Sequence, residues 1–352
     1  MQAALSLSVI IPVYNGGSQL ERCLDALLAS DFRDYEVIVV DDGSTDGCAE
    51  SARARGVEVL RLDVRSGPAA ARNRGAAHAR GEVFMFLDAD VVVRPDTLAR
   101  VAEFFGRHHG VGGAASAVFG SYDDAPDAEN FVSQYKNLLH HFVHQHSNAE
   151  AETFWAGCGA LRREAFEFVG GFDERRYSRP SIEDIELGRR LRREGFRIVL
   201  DRELQVKHLK RWTFLSLLGT DIAARALPWS RLILEEGRVI DDLNLRVSQR
   251  VSGALAWLAV ALLILSYFSV AFLALVPVAL AFIFLLNLPF YRFLKARRGR
   301  ACALGGFCLS VVYYFYSAGA FALCYCAHAL RRARVLARHG RHAGESRRVK
   351  DA

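Results

Sequence analysis

The chain has 352 residues, of which 51% are hydrophobic and 24% are charged, and this balance excludes an intrinsically disordered protein. The mean hydropathy is +0.11, and no Asp, Glu, Lys or Arg occurs over residues 251–291 or over residues 301–330. Because about 20 apolar residues cross a bilayer as a helix, the sequence predicts membrane attachment and excludes a purely soluble or secreted protein.

The net charge of +6 is distributed unevenly along the chain. Residues 292–352 contain 13 Lys and Arg against 2 Asp and Glu, which leaves a net charge of −5 for residues 1–291. The soluble part therefore lacks the positive field that a nucleic acid requires, and we expect no nucleic acid partner. The basic end suits anionic lipid headgroups instead. The seven cysteines include no paired CxxC, which favours free thiols in a reducing compartment.

Short β-branched runs alternate with amphipathic stretches through the first third of the chain. The pattern predicts strands at residues 8–11, 35–40, 57–62 and 83–87, and helices near residues 18–30, 46–55, 68–80 and 95–107. The apolar stretch at residues 5–13 has no basic region before it, so we interpret it as a strand and not as a signal peptide. This βαβα order predicts an α/β fold with a mostly parallel sheet and with ligands at the carboxyl ends of its strands.

The second half of the soluble region begins with a polar segment at residues 121–152. Ser181 is a plausible N-cap for a helix that reaches about residue 194, and two short strands are predicted at residues 196–200 and 203–206. Residues 212–234 predict an amphipathic helix broken at Pro228, which we expect to lie on a membrane surface.

An acidic pair, Asp88-x-Asp90, directly follows the fourth predicted strand. Two carboxylates at this spacing suit Mg²⁺ or Mn²⁺, although such pairs also occur as solvated turns. The pair is one of seven blocks that in this order resemble family 2 glycosyltransferases of the GT-A fold over about residues 6–215. The blocks are VIIPVYN at 9–15, VVDDGSTD at 39–46, AARN at 70–73, DAD at 88–90, GCG at 157–159, GGFDE at 170–174 and ED at 183–184.

The resemblance implies a GT-A catalytic domain, which we place at residues 1–240, and an inverting transfer from a nucleotide sugar with a divalent metal as cofactor. The roles that it implies are base, ribose and diphosphate binding for Pro12, Tyr14, Asp41, Asp42, Arg72 and Asp88; metal coordination for Asp90 and Asp88; close approach to the donor sugar for Gly157 and Gly159; catalytic base for Asp184; and acceptor orientation for Glu183. The residues alone leave alternatives open, because Asp184 could merely stabilise its helix and the two glycines could form a tight turn.

A histidine downstream of the acidic pair completes the metal site in many GT-A enzymes, and His208 has that placement, so we predict it as a third metal ligand, with a structural histidine as the alternative. Processive members carry Gln-x-x-Arg-Trp, whereas this chain has His208 in place of the Gln before Arg211-Trp212. The departure disfavours a processive polysaccharide synthase.

Trp212 could bind the acceptor or anchor the next helix. His140 and His144 stand at i and i+4, but no carboxylate accompanies them, so we expect a histidine-rich helix face or an acceptor-side loop there.

The apolar runs predict a transmembrane region over residues 251–330. Residues 251–291 fit a hairpin of two crossings, and residues 303–330 fit a further span or a re-entrant segment before a basic tail at residues 331–352. Since nucleotide sugars are cytosolic, we expect the catalytic domain to lie on the cytoplasmic side of the cell membrane. Three full spans would place the basic tail on the opposite side, against the positive-inside rule. The leading hypothesis is transfer of a sugar from a nucleotide sugar to a lipid or lipid-linked acceptor. UDP is the nucleotide that we expect in the donor. A catalytically silent nucleotide-sugar-binding scaffold is the alternative from another class.

Overall fold

The computed structural model describes residues 6–107, 115–238 and 243–350. Leu5 and the ends of the predicted 1–240 domain and 331–352 tail lie outside the described residues. The described chain divides into two compact units. The first comprises residues up to Leu217 together with Pro289–Ala303, and the second comprises Leu218–Asp241, Leu245–Leu288 and the chain from Leu304 onwards.

The first unit is built on one mixed β-sheet with helices packed on it. In chain order its elements are β1 Leu7–Val13, α1 Gly17–Leu28, β2 Tyr35–Asp41, α2 Cys48–Ala54, β3 Glu58–Arg61, α3 Pro68–His78, β4 Val83–Leu87, β5 Val91–Val92, α4 Thr97–Arg107, β6 Ala115–Tyr122, α5 Phe131–His146, β7 Glu150–Ala151, β8 Cys158–Arg162, α6 Arg163–Phe168, α7 Glu183–Arg193 and β9 Arg197–His208. Helix α8, Phe214–Thr220, begins in this unit and ends in the second. The predicted βαβα order is confirmed over the first four strands.

The sheet has the strand order β3-β2-β1-β4-β8-β6-β9-β5, with β7 paired to β9. Strands β3, β2, β1 and β4 are parallel, as the alternating pattern predicts. Strand β8 is antiparallel to both β4 and β6, which makes the sheet mixed. Strands β1 and β4 are buried along nearly their whole length because helices cover both faces of the sheet. The core therefore lies between the central strands and the helices, with Phe84, Phe86, Phe105 and Phe119 fully buried.

Two local predictions differ from the structure. The predicted strands at residues 196–200 and 203–206 are one strand, β9, which is irregular opposite the end of β6. The predicted N-cap Ser181 does not cap α7; instead its N–H donates to Oε2 of Glu183 at 2.9 Å, and Ile182 occupies the cap position without a side-chain bond. The carboxylate of Glu183, the first residue of α7, thus binds the backbone of the chain that enters the helix.

The second unit consists mainly of apolar helices. A π-helical stretch at Asp221–Ala226 leads directly into α9 Leu227–Glu236, whose first turn contains Pro228. The predicted break at Pro228 is therefore wrong, because Ala226 and Leu227 keep helical dihedral angles and proline is tolerated in a first turn. Helices α10 Val247–Leu265 and α11 Ala271–Leu286 follow. Helix α12, Leu288–Lys350, is interrupted at Gly299, which has φ +83°, and residues from Leu304 onwards belong to this unit.

A buried polar contact links three of these helical segments. The Asn287 amide donates to Oγ of Ser252 at 2.9 Å and accepts from the hydroxyl of Tyr314 at 2.8 Å. By length and composition, Val247–Leu265 and Leu288–Arg334 are sufficient to cross a membrane, whereas α11 has 16 residues and is shorter. Of the two crossings predicted over residues 251–291, only α10 is long enough to be a candidate span, and the predicted segment at residues 303–330 lies within the second candidate. The two candidate spans hint at membrane association.

Candidate functional site

One edge of the sheet collects the predicted site residues. Strands β1, β2 and β4 are parallel, so their carboxyl ends meet at this edge. Strand β8 starts at the same edge, because Leu87 pairs with Cys158 in antiparallel register. Strands β6 and β9 end there as well, since β6 is antiparallel to β8 and parallel to β9. The residues thus brought to one edge are Tyr14, Asp42, Asp88, Asp90, Tyr122, Gly157 and His208.

The ends of β1 and β2 form the part of the site predicted to hold the nucleotide. Asp41 is fully buried; its Oδ1 accepts the Ser44 N–H at 2.7 Å, and Oδ2 lies 3.3 Å from Nη1 of Arg61. Pro12 is partly buried in β1, and the Tyr14 ring beyond it is 41% exposed. Tyr14 therefore offers a free aromatic edge, with the Arg65 guanidinium 3.8 Å from its ring centroid.

Asp42 supports the neighbouring loop in this structure. Its two carboxylate oxygens accept the N–H groups of Ser66 and Gly67 at 2.6 and 2.8 Å. Gly67 has φ +90°, and a Cβ there would overlap the Ser178 carbonyl, so only glycine fits this passage. The binding of Asp42 to a ribose stays a prediction; the structure adds that Asp42 fixes the loop that carries Arg65.

A buried arginine joins the two acidic motifs. The Arg72 guanidinium on α3 donates to Oε1 of Glu183 at 2.9 Å and to Oδ1 of Asp88 at 2.8 Å. Arg72 is 5% exposed, and its Nε has no hydrogen-bond partner among the described residues. Asp88 and Glu183 are far apart in the sequence, and the structure shows that Arg72 holds them together. The Nε–H of Arg72 takes no part in this bridge. Glu183 itself is buried, with one oxygen on Arg72 and the other on Ser181.

Asp184 follows Glu183 in the first turn of α7. Its Oδ2 accepts the Ala156 N–H at 3.1 Å, and its Oδ1 accepts the Ile185 N–H at 2.8 Å. Burial, followed by the negative charge of Glu183, raises the pKa of Asp184 to about 7, although Arg72 acts in the opposite direction. A carboxylate with such a pKa accepts a proton far more readily than an ordinary aspartate does at neutral pH.

Asp90 and His208 face each other across β5 and the end of β9. His208 is buried, and its Nε2 lies 3.7 Å from Oδ2 of Asp90, which is longer than a hydrogen bond. Burial alone would raise the pKa of Asp90, but His208 and Lys210 outweigh it and hold the pKa below its ordinary value. Burial and the nearby Asp90 charge raise the pKa of Asp88, against the effect of Arg72. Over residues 6–107, 115–238 and 243–350 no cluster of three or more His, Cys, Asp or Glu side chains has metal-binding geometry.

The glycine block lies at the start of β8, and the chain's own rings occupy the space beside it. A Cβ on Gly157 would overlap the indole of Trp155, and one on Gly159 would overlap the Trp155 carbonyl and the Phe154 ring. These contacts explain why both positions need glycine without any ligand. Close approach of a donor sugar to this backbone stays a prediction.

The remaining predicted residues lie near the end of β9. Trp212 is 3% exposed, its backbone N–H donates to Oγ of Ser133 at 2.7 Å, and Nζ of Lys210 lies 4.4 Å from its ring centroid. Its indole N–H has no hydrogen-bond partner among the described side chains. His140 and His144 lie on α5, where Nδ1 of His144 lies 3.0 Å from the Gly120 carbonyl and burial lowers its pKa to about 4.

Sequence reasoning gave no role to Arg65, Tyr122 or Trp155. Tyr122 stacks on His208 with centroids 4.0 Å apart, and Trp155 contacts Tyr122 edge-on at 4.9 Å. The position of Tyr122 at the end of β6 is the signal that could have drawn attention to it, because strand ends at this edge carry the site. Arg65 carries no such signal, since it lies in a loop and not at a predicted strand end.

Helix α7 packs so closely on the preceding loop that we expect enlargement of Gly188 to destabilise the protein. A Cβ on Gly188 would overlap the backbone at Thr153 and Phe154. We expect Gly188→Ala to destabilise the protein by about 1–3 kcal/mol, because the helix must move away from the loop. Gly106→Ala on α4 is the matched control, since nothing lies within 4 Å of its Cβ position. Thermal unfolding of both variants checks the prediction, and equal melting temperatures would contradict this packing.

The sequence matches one protein family. Residues 8–170 match the model described as glycosyl transferase family 2. The chain is 35% identical over 97 residues to the glycosyltransferase GlyG of Streptococcus pneumoniae, which covers 26% of this chain and 32% of GlyG. It is 42% identical over 91 residues to the glycosyltransferase AglE of Haloferax volcanii, which covers 24% of this chain and 30% of AglE. The chain thus spans about a third of the length of these relatives.

A solved structure resembles about two thirds of this chain in fold. Residues 1–349 of S. aureus TarS, crystallised with UDP-GlcNAc, superpose with a TM-score of 0.51 at 22% sequence identity, covering 66% of each chain. The likeness extends to the fold alone at this level of sequence identity. The match to glycosyl transferase family 2 itself is confined to residues 8–170.

Proposed function

We propose that this protein is a membrane-bound, metal-dependent, inverting glycosyltransferase that moves a sugar from a nucleotide sugar, UDP-linked, to a lipid or lipid-linked acceptor. The observation that carries the proposal is the buried carboxylate of Asp184, whose pKa is raised to about 7 beside the Arg72 bridge. Such a group can take a proton from a hydroxyl at neutral pH.

The reaction we propose is a single displacement. Asp184 accepts the proton of the acceptor hydroxyl while that oxygen attacks the anomeric carbon of the donor sugar. The bond from that carbon to the diphosphate oxygen breaks, and the nucleoside diphosphate leaves with the electron pair. Attack from the face opposite the leaving group inverts the anomeric configuration. Asp184 then holds the proton until solvent removes it.

Several unused polar groups support binding of the two substrates. The exposed Tyr14 ring and the buried Asp41 suit a nucleobase, and the free Nε–H of Arg72 is a donor for the ribose or diphosphate. The buried indole N–H of Trp212 offers a donor on the acceptor side. A bound UDP-GlcNAc in TarS agrees in class with such a donor.

The side-chain chemistry near Asp90 suits a divalent cation, although Asp88, Asp90 and His208 do not stand at metal-ligand geometry in the described residues. Asp90 and His208 turn oxygen and nitrogen atoms toward each other at 3.7 Å without bonding, and Asp88 keeps Oδ2 free of Arg72. Carboxylate and imidazole are ligands that Mn²⁺ accepts, and Mg²⁺ favours the carboxylates. Asp88, Asp90 and His208 would hold the ion, which would neutralise charge on the diphosphate.

Two features of the chain support attachment to a membrane and hence a lipid acceptor. Helices α10 and α11 expose large apolar side chains, including Ile264 and Leu285 at 64% and 60%. In the first unit, residues 289–303 bury Phe290 and Leu294 and expose basic side chains that anionic headgroups attract. The exposed cations are Arg292, Lys295, Arg297, Arg298 and Arg300.

Donor binding tests the proposal directly. We expect the purified protein to bind UDP in the presence of Mn²⁺, and Asp90→Asn to weaken that binding by about tenfold or more, because one metal ligand loses its charge. Without metal, wild type and variant should bind UDP alike. Titration calorimetry with UDP, with and without Mn²⁺, measures both affinities. Absence of UDP binding by the wild type contradicts the donor assignment, and an unchanged Mn²⁺ effect in Asp90→Asn contradicts the metal assignment.

A further inference from the structure

The imidazole of His208 is stacked on a ring from the neighbouring strand. The Tyr122 ring lies 4.0 Å from it, centroid to centroid, with an angle of 12° between the planes. His208 is 5% exposed. Its backbone is paired with Val91 of β5, and the Leu209 N–H donates to the Asp90 carbonyl at 2.8 Å. The strands therefore fix the backbone of His208, and Tyr122 fixes the plane of its ring.

A bulge in β9 makes this stack possible. Phe119 pairs with Leu200, so regular pairing would place Tyr122 opposite Glu203, five residues before His208. After the bulge Tyr122 pairs with Val206, and His208 becomes its diagonal neighbour on the same face of the sheet. A shift of three residues also exchanges the faces of the strand. Bulges beside active sites often redirect a side chain in this way.

Glycine at position 120 allows the bulge. A Cβ on Gly120 would overlap the Leu204 carbonyl, where the two backbones come closest. The bulged residues of β9 are held in turn by Gln145 of α5, whose amide donates to the Arg202 carbonyl at 2.9 Å. The register that brings Tyr122 to His208 is thus specified by the sequence at several positions.

Tyr122 is itself held on its other sides. His140 lies 4.3 Å from its ring, and Trp155 contacts it edge-on at 4.9 Å. The Tyr122 carbonyl lies 2.8 Å from Nδ1 of His141. His140 and Trp155 therefore keep the Tyr122 ring in one orientation while His141 contacts its backbone, and the ring in turn orients the imidazole of His208.

We propose that Tyr122 is a positioning residue that holds the His208 imidazole with Nε2 toward Asp90, so that His208 can bind a divalent cation. The inference rests on the metal site of the proposed function. Groups that orient a ligand from outside the ligand set typically contribute about 10- to 100-fold to metal affinity. In this protein the orienting contact is a ring stack from a strand end, made possible by Gly120.

The test is the affinity of the full chain for Mn²⁺, measured by electron paramagnetic resonance of the free ion, which needs neither donor nor acceptor. We expect Tyr122→Leu and Tyr122→Met to weaken Mn²⁺ binding by about 10- to 100-fold, because neither side chain offers a flat ring. Tyr122→Phe keeps the ring and should retain the affinity within about twofold. Melting temperatures and UDP binding without metal establish that each variant is folded.

The outcomes separate the inference from the function on which it rests. The positioning role is overturned if Tyr122→Leu or Tyr122→Met binds Mn²⁺ as tightly as the wild type while Asp90→Asn binds it poorly. The metal site would then remain supported. An equal loss of Mn²⁺ affinity in Tyr122→Phe and Tyr122→Leu also overturns the positioning role, since the hydroxyl and not the ring would then be the important group. A wild type that binds UDP but no Mn²⁺ overturns the metal site and the inference together.

Discussion

Replacement of Asp184 by asparagine is expected to reduce sugar transfer by about 10²–10⁴-fold, the range that a positioned general base contributes. Asparagine has almost the same shape and can still accept the Ala156 N–H through its carbonyl oxygen. It cannot accept the proton of the acceptor hydroxyl. UDP binding should therefore be unchanged while turnover is lost, and the two quantities are measured by calorimetry and by transfer of labelled sugar.

The pH dependence of wild-type transfer belongs to the same prediction. Asp184 acts as a base only when deprotonated, and its pKa is raised to about 7. The rate should therefore rise with pH through about 7 and fall in acid below it. Asp34→Asn is the control, because Asp34 is exposed before β2 at the opposite edge of the sheet. Normal turnover in Asp184→Asn would exclude Asp184 as the base.

Removal of the Arg72 guanidinium is expected to cause the largest loss of stability. Arg72→Met leaves Glu183 buried without its partner and leaves Asp88 without its ion pair. Breaking a buried pair in this way typically costs about 3–5 kcal/mol. We expect the lower part of that range, because the Asp88 side chain is about a third exposed. For a domain of this size each kcal/mol lowers the melting temperature by about 2–4 °C.

A neighbour on the same helix provides the control for Arg72. Arg74 is exposed on α3, so Arg74→Met removes the same charge and side chain without breaking a buried pair. Its melting temperature should stay near that of the wild type. Arg72→Lys should have a melting temperature little above that of Arg72→Met, because an ammonium on a flexible chain does not bridge two carboxylates as a planar guanidinium does. Equal melting temperatures for Arg72→Met and Arg74→Met would contradict the bridge.

The order of strands and helices in the first unit could be predicted because hydrophobic periodicity is a local property. The runs that became β1, β2 and β4 are short and β-branched, and their parallel pairing follows from the helices between them. The same reasoning put Asp88, Asp90 and Tyr14 at one edge of the sheet. Residues 196–206 were harder, because the polar Asp201-Arg202 pair marks a bulge inside one strand and not a loop between two.

The partners of the site residues could not be predicted, because they depend on contacts between distant parts of the chain. Arg72 meets Glu183 across 111 positions, and no local pattern encodes that pairing. The stack of Tyr122 on His208 requires a register that only the bulge produces. The motifs indicated which residues belong to the site, whereas the folded structure indicates which of them hold one another.

The most direct test of the central claim is transfer of labelled sugar by membranes from cells that produce the full chain. Wild type and Asp184→Asn are incubated with a panel of labelled nucleotide sugars and Mn²⁺ or Mg²⁺, and the products are partitioned between organic solvent and water. We expect label in the organic phase with wild type alone, with one donor preferred. Label only in a water-soluble polymer would contradict the lipid acceptor, and no Asp184-dependent label from any donor would contradict the glycosyltransferase itself.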